Sequence, residues 1–325
     1  MAVLQLREAV RRAMVEEMRR DPSVFLMGEE VADYNGAYKV SQGMLEEFGA
    51  RRVIDTPIAE NGFFGIGVGA AMAGLRPIVE VMTWNFSLVA YDQVINNAAK
   101  IVQMTGGQYK VPIVFRGPGG AAENLGSQHS QSLESIYAHF PGIKVVSTAT
   151  PRYAYGLLKS AIRDDDPIVF MESELFYSFK GEVEDEEFLI PLGVAELKRD
   201  GNDVLVVTWN KMVHTCLAVA ETLAKEGLSV AVLDLRTIRP LDEEALYSNA
   251  ARIGRVVVVQ EGFPFAGVGA EIVARIQEAC FDSLDAPVLR VTNRDVNQPY
   301  ASNLEKLVLP SAERIIEAIR AVTAR

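Results

Sequence analysis

Uninterrupted apolar runs alternate along this chain with segments whose apolar side chains recur every three or four residues. That alternation constrains the fold more than any other feature. In the first half, Val24-Phe25-Leu26-Met27, residues 78–82, Ile113-Val114-Phe115 after Pro112, and Ile168-Val169-Phe170-Met171 read as buried strands. Between them, Leu88, Tyr91, Ile95, Ala98 and Val102 mark one face of a helix. Thr150 before Pro151 reads as an N-cap and first helical turn, with Ala154, Leu157, Ala161 and Ile162 on the buried side. Strands that are apolar on both faces need cover on both, and intervening helices supply it, so a doubly wound α/β domain with a mainly parallel sheet is expected.

A second alternating series follows. Strands are expected over 204–208, 230–233, 256–259 and 288–291, with helices over 212–225, 267–279 and 311–322. Glu182, Glu184, Asp185, Glu186 and Glu187 lie between Gly181 and Pro191, and such an acidic run reads as a solvated connection. The expected division is a first domain over 1–185, a linker over 186–200, and a smaller doubly wound domain over 201–325. Two domains also suit 325 residues, and the 49% hydrophobic content is enough for two cores.

The net charge of -11 argues against a general nucleic-acid or anionic-membrane surface, since both need clustered positive charge. The longest uncharged run, 61–75, falls short of the ~20 apolar residues that cross a bilayer. The first residues run into Leu6, Ala9, Val10 and Met14 as an amphipathic helix rather than a signal peptide. A soluble, cytoplasmic protein is expected. Cys216 and Cys280 read as reduced, buried thiols, and the three histidines form no zinc spacing with them.

Several motifs are weak. Gly65-x-Gly67-x-x-Ala70 lacks a preceding strand, so a glycine-flattened helix explains it better than a dinucleotide loop. Gly117-Pro118-Gly119-Gly120 is either a phosphate cradle or a plain turn.

Three stretches place polar residues in apolar or glycine-rich surroundings: Asp55-Thr56-Pro57-Ile58-Ala59-Glu60, Met82-Thr83-Trp84-Asn85-Phe86, and the aperiodic loop 116–131 with Ser127-Gln128-His129-Ser130-Gln131. On its own, Glu60 reads as a carboxylate at a helix start. Phe86 reads equally as core. His129 is a loop imidazole that either holds local structure or exchanges protons near neutral pH. His139, before Phe140-Pro141-Gly142, and His214 read as structural.

Taken together, these stretches resemble the beta subunits of thiamine-diphosphate-dependent 2-oxoacid dehydrogenases, of the pyruvate type. The resemblance is carried by Asp55 to Glu60, Gly62-Phe63-x-Gly65, Gly69-Ala70-Ala71-Met72-Ala73-Gly74-Leu75-Arg76-Pro77, Gln128-His129-Ser130-Gln131 and His139-Phe140-Pro141-Gly142-Ile143-Lys144-Val145-Val146. Further along, Arg236-Thr237-Ile238-Arg239-Pro240-Leu241-Asp242 and Gly267-Val268-Gly269-Ala270-Glu271 carry it into the second half. It spans almost the whole chain. It implies a thiamine-diphosphate-binding fold of the pyrimidine-domain type followed by a transketolase C-terminal-like domain.

The resemblance implies that Glu60 hydrogen-bonds the cofactor's aminopyrimidine and promotes its imino form, with Ile58, Phe63 and Phe86 as an apolar setting. It implies that Phe86 packs on the pyrimidine, that His129 assists acyl transfer to a lipoyl sulfur, and that Glu29 belongs to an acidic proton relay. It also implies a structural potassium ion on backbone oxygens of Ile113, Ala161, Ile162, Asp164 and Asp166. The family's magnesium-binding Gly-Asp-Gly motif is missing from this chain. An alpha subunit is therefore expected to hold magnesium and the diphosphate, in a complex of two alpha and two beta chains. Pyruvate is the implied substrate, with branched-chain 2-oxoacid or acetoin dehydrogenases as related possibilities. A lipoyl-bearing acyltransferase core is expected on the C-terminal domain. The different-class alternative is a non-catalytic docking subunit for that core.

Overall fold

The structure is a computed structural model that describes residues 1–324. The chain divides into two compact units, Met1–Gly119 with Ile136–Leu192, and Gly120–Ser135 with Gly193–Arg325. In the first unit the strands Lys144–Ser147, Ile168–Ser173, Val114–Gly119, Arg76–Glu80, Val24–Gly28 and Val53–Asp55 lie side by side in that order, all parallel. Four of these are buried along their whole length or nearly so, as apolar runs between two helical layers must be. The helix Glu60–Met72 lies close on this sheet because Gly67 has no side chain. A Cβ there would meet Val79 at 2.7 Å.

Helix Leu6–Arg20 packs against helix Pro151–Arg163, whose cap is the expected one: the Tyr153 N–H donates to Thr150 Oγ1 at 3.2 Å, with Pro151 in the first turn. The second unit has a five-stranded sheet in the order Leu289–Val291, Val256–Val259, Val204–Thr208, Val230–Asp234 and Glu196–Arg199. The first four strands are parallel and the last antiparallel. Helices Met212–Ala224 and Ala312–Thr323 close one core around Val206, Val232, Val257, Cys216, Ile315 and Ile319.

The structure departs from the expectation in five places. Residues Ala2–Gln5 form a strand, not helix, paired antiparallel with Lys180–Val183, so part of the acidic stretch is sheet rather than linker. The helix proper starts at Leu6, where the Gln5 N–H donates to Glu8 Oε2 at 2.7 Å. The expected helix through 88–102 breaks into a 3₁₀ segment Trp84–Ala90, a π segment Gln93–Ala98 and an α segment Ala99–Met104, which leaves Leu88 exposed instead of on the buried face. Within the expected linker 186–200, Glu196–Arg199 is an edge strand of the second sheet. Residues 117–119 are strand rather than turn, and only glycine fits at 117, where a Cβ would lie 2.3 Å from the Val81 carbonyl oxygen.

One polar cluster sits inside the apolar sheet. Arg116, fully buried, donates from Nε and Nη2 to both carboxylate oxygens of Glu172 at 2.6 and 2.7 Å, and from Nη1 to Glu80. Tyr177 completes it, its hydroxyl 3.2 Å from Nη2. Three adjacent strands are thereby joined by one guanidinium. Removing it strands two carboxylates out of water. Arg116→Met is expected to lower stability by about 3–5 kcal/mol, read by urea denaturation. A loss below about 1 kcal/mol would show that the cluster contributes little.

Candidate active site

The site begins at the carboxyl edge of the first sheet, where open parallel sheets gather ligands. Glu29 directly follows the strand Val24–Gly28, and Glu60 opens the helix Glu60–Met72. Two local devices bring these segments to neighbouring strand ends. The Thr56 N–H donates to the Gly28 carbonyl at 2.9 Å. The Asp55 carboxylate accepts from the Ala32 and Asp33 N–H groups at 2.6 and 3.1 Å, which folds the chain after Glu29 back over its strand. Asp55 is thus a loop fastener.

Glu29 is 3% exposed and Glu60 7%. Among the described residues neither forms an ion pair, and Glu29 Oε1 and Thr56 Oγ1 are buried with no hydrogen-bond partner. Burial pushes the Glu29 carboxyl up to about 7, and the negative charge of Glu60 adds to the effect. Glu60 occupies the first helical position, where its charge suits the helix dipole, but no side chain caps this helix. Burial with orphaned polar atoms fits a ligand that offers donors and acceptors of its own, as an aminopyrimidine does.

Phe86 is half-buried in the 3₁₀ segment Trp84–Ala90. Its N–H donates to the Thr83 carbonyl at 2.9 Å. Ile58 is 82% exposed, so within this chain it gives Glu60 no apolar cover, contrary to expectation. Phe63, one helical turn beyond Glu60, is buried. His129 ends a 3₁₀ turn, Ser127–His129, in the second unit, while Glu29, Glu60, Ile58 and Phe86 all belong to the first. His139 is exposed, edge-on to Phe140 with ring centroids 5.1 Å apart.

Of the expected potassium oxygens, those of Ala161, Ile162 and Asp164 lie at the end of helix Pro151–Arg163, where carbonyls lack intrahelical partners and the dipole favours cations. Arg76 Nη1 already donates to the carbonyls of Ile162 at 3.0 Å and Asp164 at 2.8 Å. The Ile113 carbonyl accepts from the Ile168 N–H at 2.9 Å, and the Ala161 carbonyl from the Asp164 N–H at 3.3 Å. The Asp166 carboxylate faces Lys144 at 3.0 Å. The Arg76 guanidinium thus already occupies two of the expected potassium oxygens. Among the described residues no group of three or more His, Cys, Asp or Glu side chains is arranged to hold a metal.

The profile of the "Transketolase, pyrimidine binding domain" family matches residues 2–179, and that of the "Transketolase, C-terminal domain" family matches residues 193–315. A pyruvate dehydrogenase E1 component subunit beta from Rhizobium meliloti is 51% identical over 99% of this chain and 70% of its own. One from Rickettsia felis is 50% identical over 98% of each chain. A mitochondrial beta-1 subunit from Oryza sativa is 52% identical over 98% of this chain and 86% of its own.

The chain belongs to the pyruvate dehydrogenase E1 component subunit beta family.

It is a component of a thiamine-diphosphate-dependent 2-oxoacid dehydrogenase. A solved split-gene transketolase, described as an inactive beta4 tetramer, shares the fold with a TM-score of 0.77 at 20% identity over 99% of this chain and 98% of its own. The transketolase-type architecture expected from the sequence is therefore the observed one. Sequence reading missed the Glu80–Arg116–Glu172 cluster. Its signal was an arginine in line with the apolar Val114-Phe115 run.

This chain should show its carboxylate pair in a pH titration. Carboxyl NMR of Glu29 should give a midpoint of about 7, and Glu60→Gln should lower it by removing a neighbouring negative charge. Because the folded value lies above the ordinary carboxylate range, stability should fall as pH rises from that range to about 7, and Glu29→Gln should remove this slope. A Glu29 midpoint near ordinary carboxylates in both proteins would contradict the pairing.

Proposed function

We propose that this chain provides the aminopyrimidine half of a thiamine diphosphate site in a pyruvate dehydrogenase, and that an alpha chain provides the half that holds magnesium and the diphosphate. The observation that carries the reading is the pair of buried carboxylates, Glu29 and Glu60, at a parallel-sheet edge with no ion-pair partner among the described residues. The relatives' names support pyruvate as the substrate, ahead of branched-chain 2-oxoacids or acetoin.

Bound thiamine diphosphate supplies the nucleophilic carbon that lets a 2-oxoacid lose carbon dioxide. Glu60 is the carboxyl that hydrogen-bonds the pyrimidine ring nitrogen. Glu29, with a carboxyl that titrates near neutrality, holds or passes a proton beside it. The half-exposed Phe86 ring offers an apolar face to the pyrimidine, and the exposed Ile58 is free to cover the ligand. In the transfer step the two-carbon unit left after loss of carbon dioxide is oxidised to the acetyl level as the lipoyl S–S bond is reduced: one sulfur takes the acetyl group, and His129 lends the proton that makes the other a thiol.

The same reading includes two alpha and two beta chains, a lipoyl-bearing acyltransferase core docked on the second unit, and a structural potassium ion on the oxygens of Ile113, Ala161, Ile162, Asp164 and Asp166. It also includes a cytoplasmic location, which cell fractionation tests. The missing Gly-Asp-Gly motif supports the division of the cofactor site between chains.

Glu60→Gln in the complex reconstituted with its alpha chain should lower the decarboxylation rate about a hundredfold or more, the scale of a lost proton-transfer group. Unchanged activity would reduce this chain to a docking subunit. Turnover of pyruvate, 2-oxoisovalerate and acetoin by the same complex tests the substrate, and pyruvate should have the highest kcat/KM.

A further inference from the structure

The loop that carries His129 belongs structurally to the second unit, although both of its flanks belong to the first. Its base is closed by the Gly120 N–H donating to the Gln131 carbonyl at 2.9 Å. Just inside and outside that closure, one side chain grips both ends. Glu261 accepts from the Ala121 N–H at 2.6 Å and from Ser132 Oγ at 3.3 Å. Lys211 forms an ion pair with the same carboxylate, and Glu261 is only 8% exposed.

The positions of these two groups are informative. Lys211 follows the strand Val204–Thr208 and Glu261 follows Val256–Val259, so both stand beyond the carboxyl ends of adjacent parallel strands. Ligands gather at that edge in open α/β sheets. Here the edge holds a piece of backbone instead. Further out, the Asn124 N–H reaches Glu305 at 3.2 Å and Ser127 Oγ donates to the Gln298 carbonyl at 2.9 Å. The loop is therefore fastened on both sides of the Ser127–His129 turn. Glu261 thus touches both its entry and its exit.

We propose that Glu261, neutralised by Lys211, is a positioning residue that fixes the His129 loop for acyl transfer to the lipoyl group. The proposal rests on the transfer role given to His129 above. A buried carboxylate that accepts a backbone N–H is a strong, directional tether. Exchanging it for an amide keeps the shape but removes the charge that holds the N–H and the ammonium together. Glu261 touches no reacting atom in this scheme, so its effect reaches the chemistry only through where the imidazole sits.

The test uses the complex reconstituted with the alpha chain and compares Glu261→Gln, Glu261→Asp and His129→Ala with the parent. Each preparation is assayed twice, for pyruvate decarboxylation with a dye as electron acceptor and for acetylation of a free lipoyl domain. The expected result is that Glu261→Gln lowers the ratio of lipoyl acetylation to dye-linked decarboxylation about tenfold, the scale of one charge-assisted hydrogen bond. Glu261→Asp should recover part of that ratio. Limited proteolysis should cut Glu261→Gln faster within 120–131 and leave the rest of the digest unchanged.

His129→Ala separates the two ideas. If it lowers the ratio and Glu261→Gln does not, the positioning role is overturned while the function of His129 stands. If His129→Ala leaves the ratio unchanged, the transfer role itself fails, and the positioning role with it. A parallel fall of both activities in Glu261→Gln, with no local change in proteolysis, would show a general structural contribution and would also overturn the proposal.

Discussion

One guanidinium, that of Arg116, makes a polar interior possible in the first sheet. Glu80 and Glu172 stand on the strands either side of it, out of water, and a carboxylate in such a place is tolerated only when paired and hydrogen-bonded. The bidentate grip on Glu172 and the contact with Glu80 meet that condition. Two more buried carboxylates, Glu29 just past a strand of this sheet and Glu60 at the start of the helix Glu60–Met72, have no such partner among the described residues. The contrast divides the acidic groups by purpose. Two are compensated within the fold and hold it together. Two are left uncompensated at the edge where open parallel sheets gather ligands, and Glu29 responds by keeping its proton to about neutral pH.

The uncompensated pair gives the physical meaning of a beta subunit. A complete site would bring its own cation for the cofactor's phosphates, and this chain has neither the Gly-Asp-Gly motif nor, among the described residues, a cluster of metal-binding side chains. It does have buried, orphaned polar atoms suited to a heterocycle. Exposed apolar groups beside them, Ile58 at 82% and Ile66 at 64%, lie on and before the same glycine-rich helix. Such groups gain by meeting another molecule.

Much of the fold was legible in the sequence because its strands are apolar on both faces. The strands Val204–Thr208 and Val256–Val259 fall where their valine-rich runs place them, and the cap at Thr150 with Pro151 needs only local chemistry. What stayed hidden depends on distant partners. Ala2–Gln5 is strand because Lys180–Val183 pairs with it. The 84–104 stretch has helical spacing, yet it starts in a 3₁₀ turn capped by Thr83 and passes through a π segment, so its periodicity does not carry through. The 116–131 stretch has no periodicity because its first residues are strand and the remainder is held by Glu261, 140 positions away from Ala121. Of the site, Glu60 and Glu29 could be named from their motifs. Their burial without ion pairs could not, nor could the exposure of Ile58.

The central claim is that the cofactor site is half built in this chain. Isothermal titration of thiamine diphosphate with magnesium tests it most directly, first into the purified chain alone and then into the chain assembled with an alpha partner that bears Gly-Asp-Gly. The account predicts no saturable binding to the chain alone and one tight site per beta chain after assembly. Tight, saturable binding to the isolated chain would contradict it.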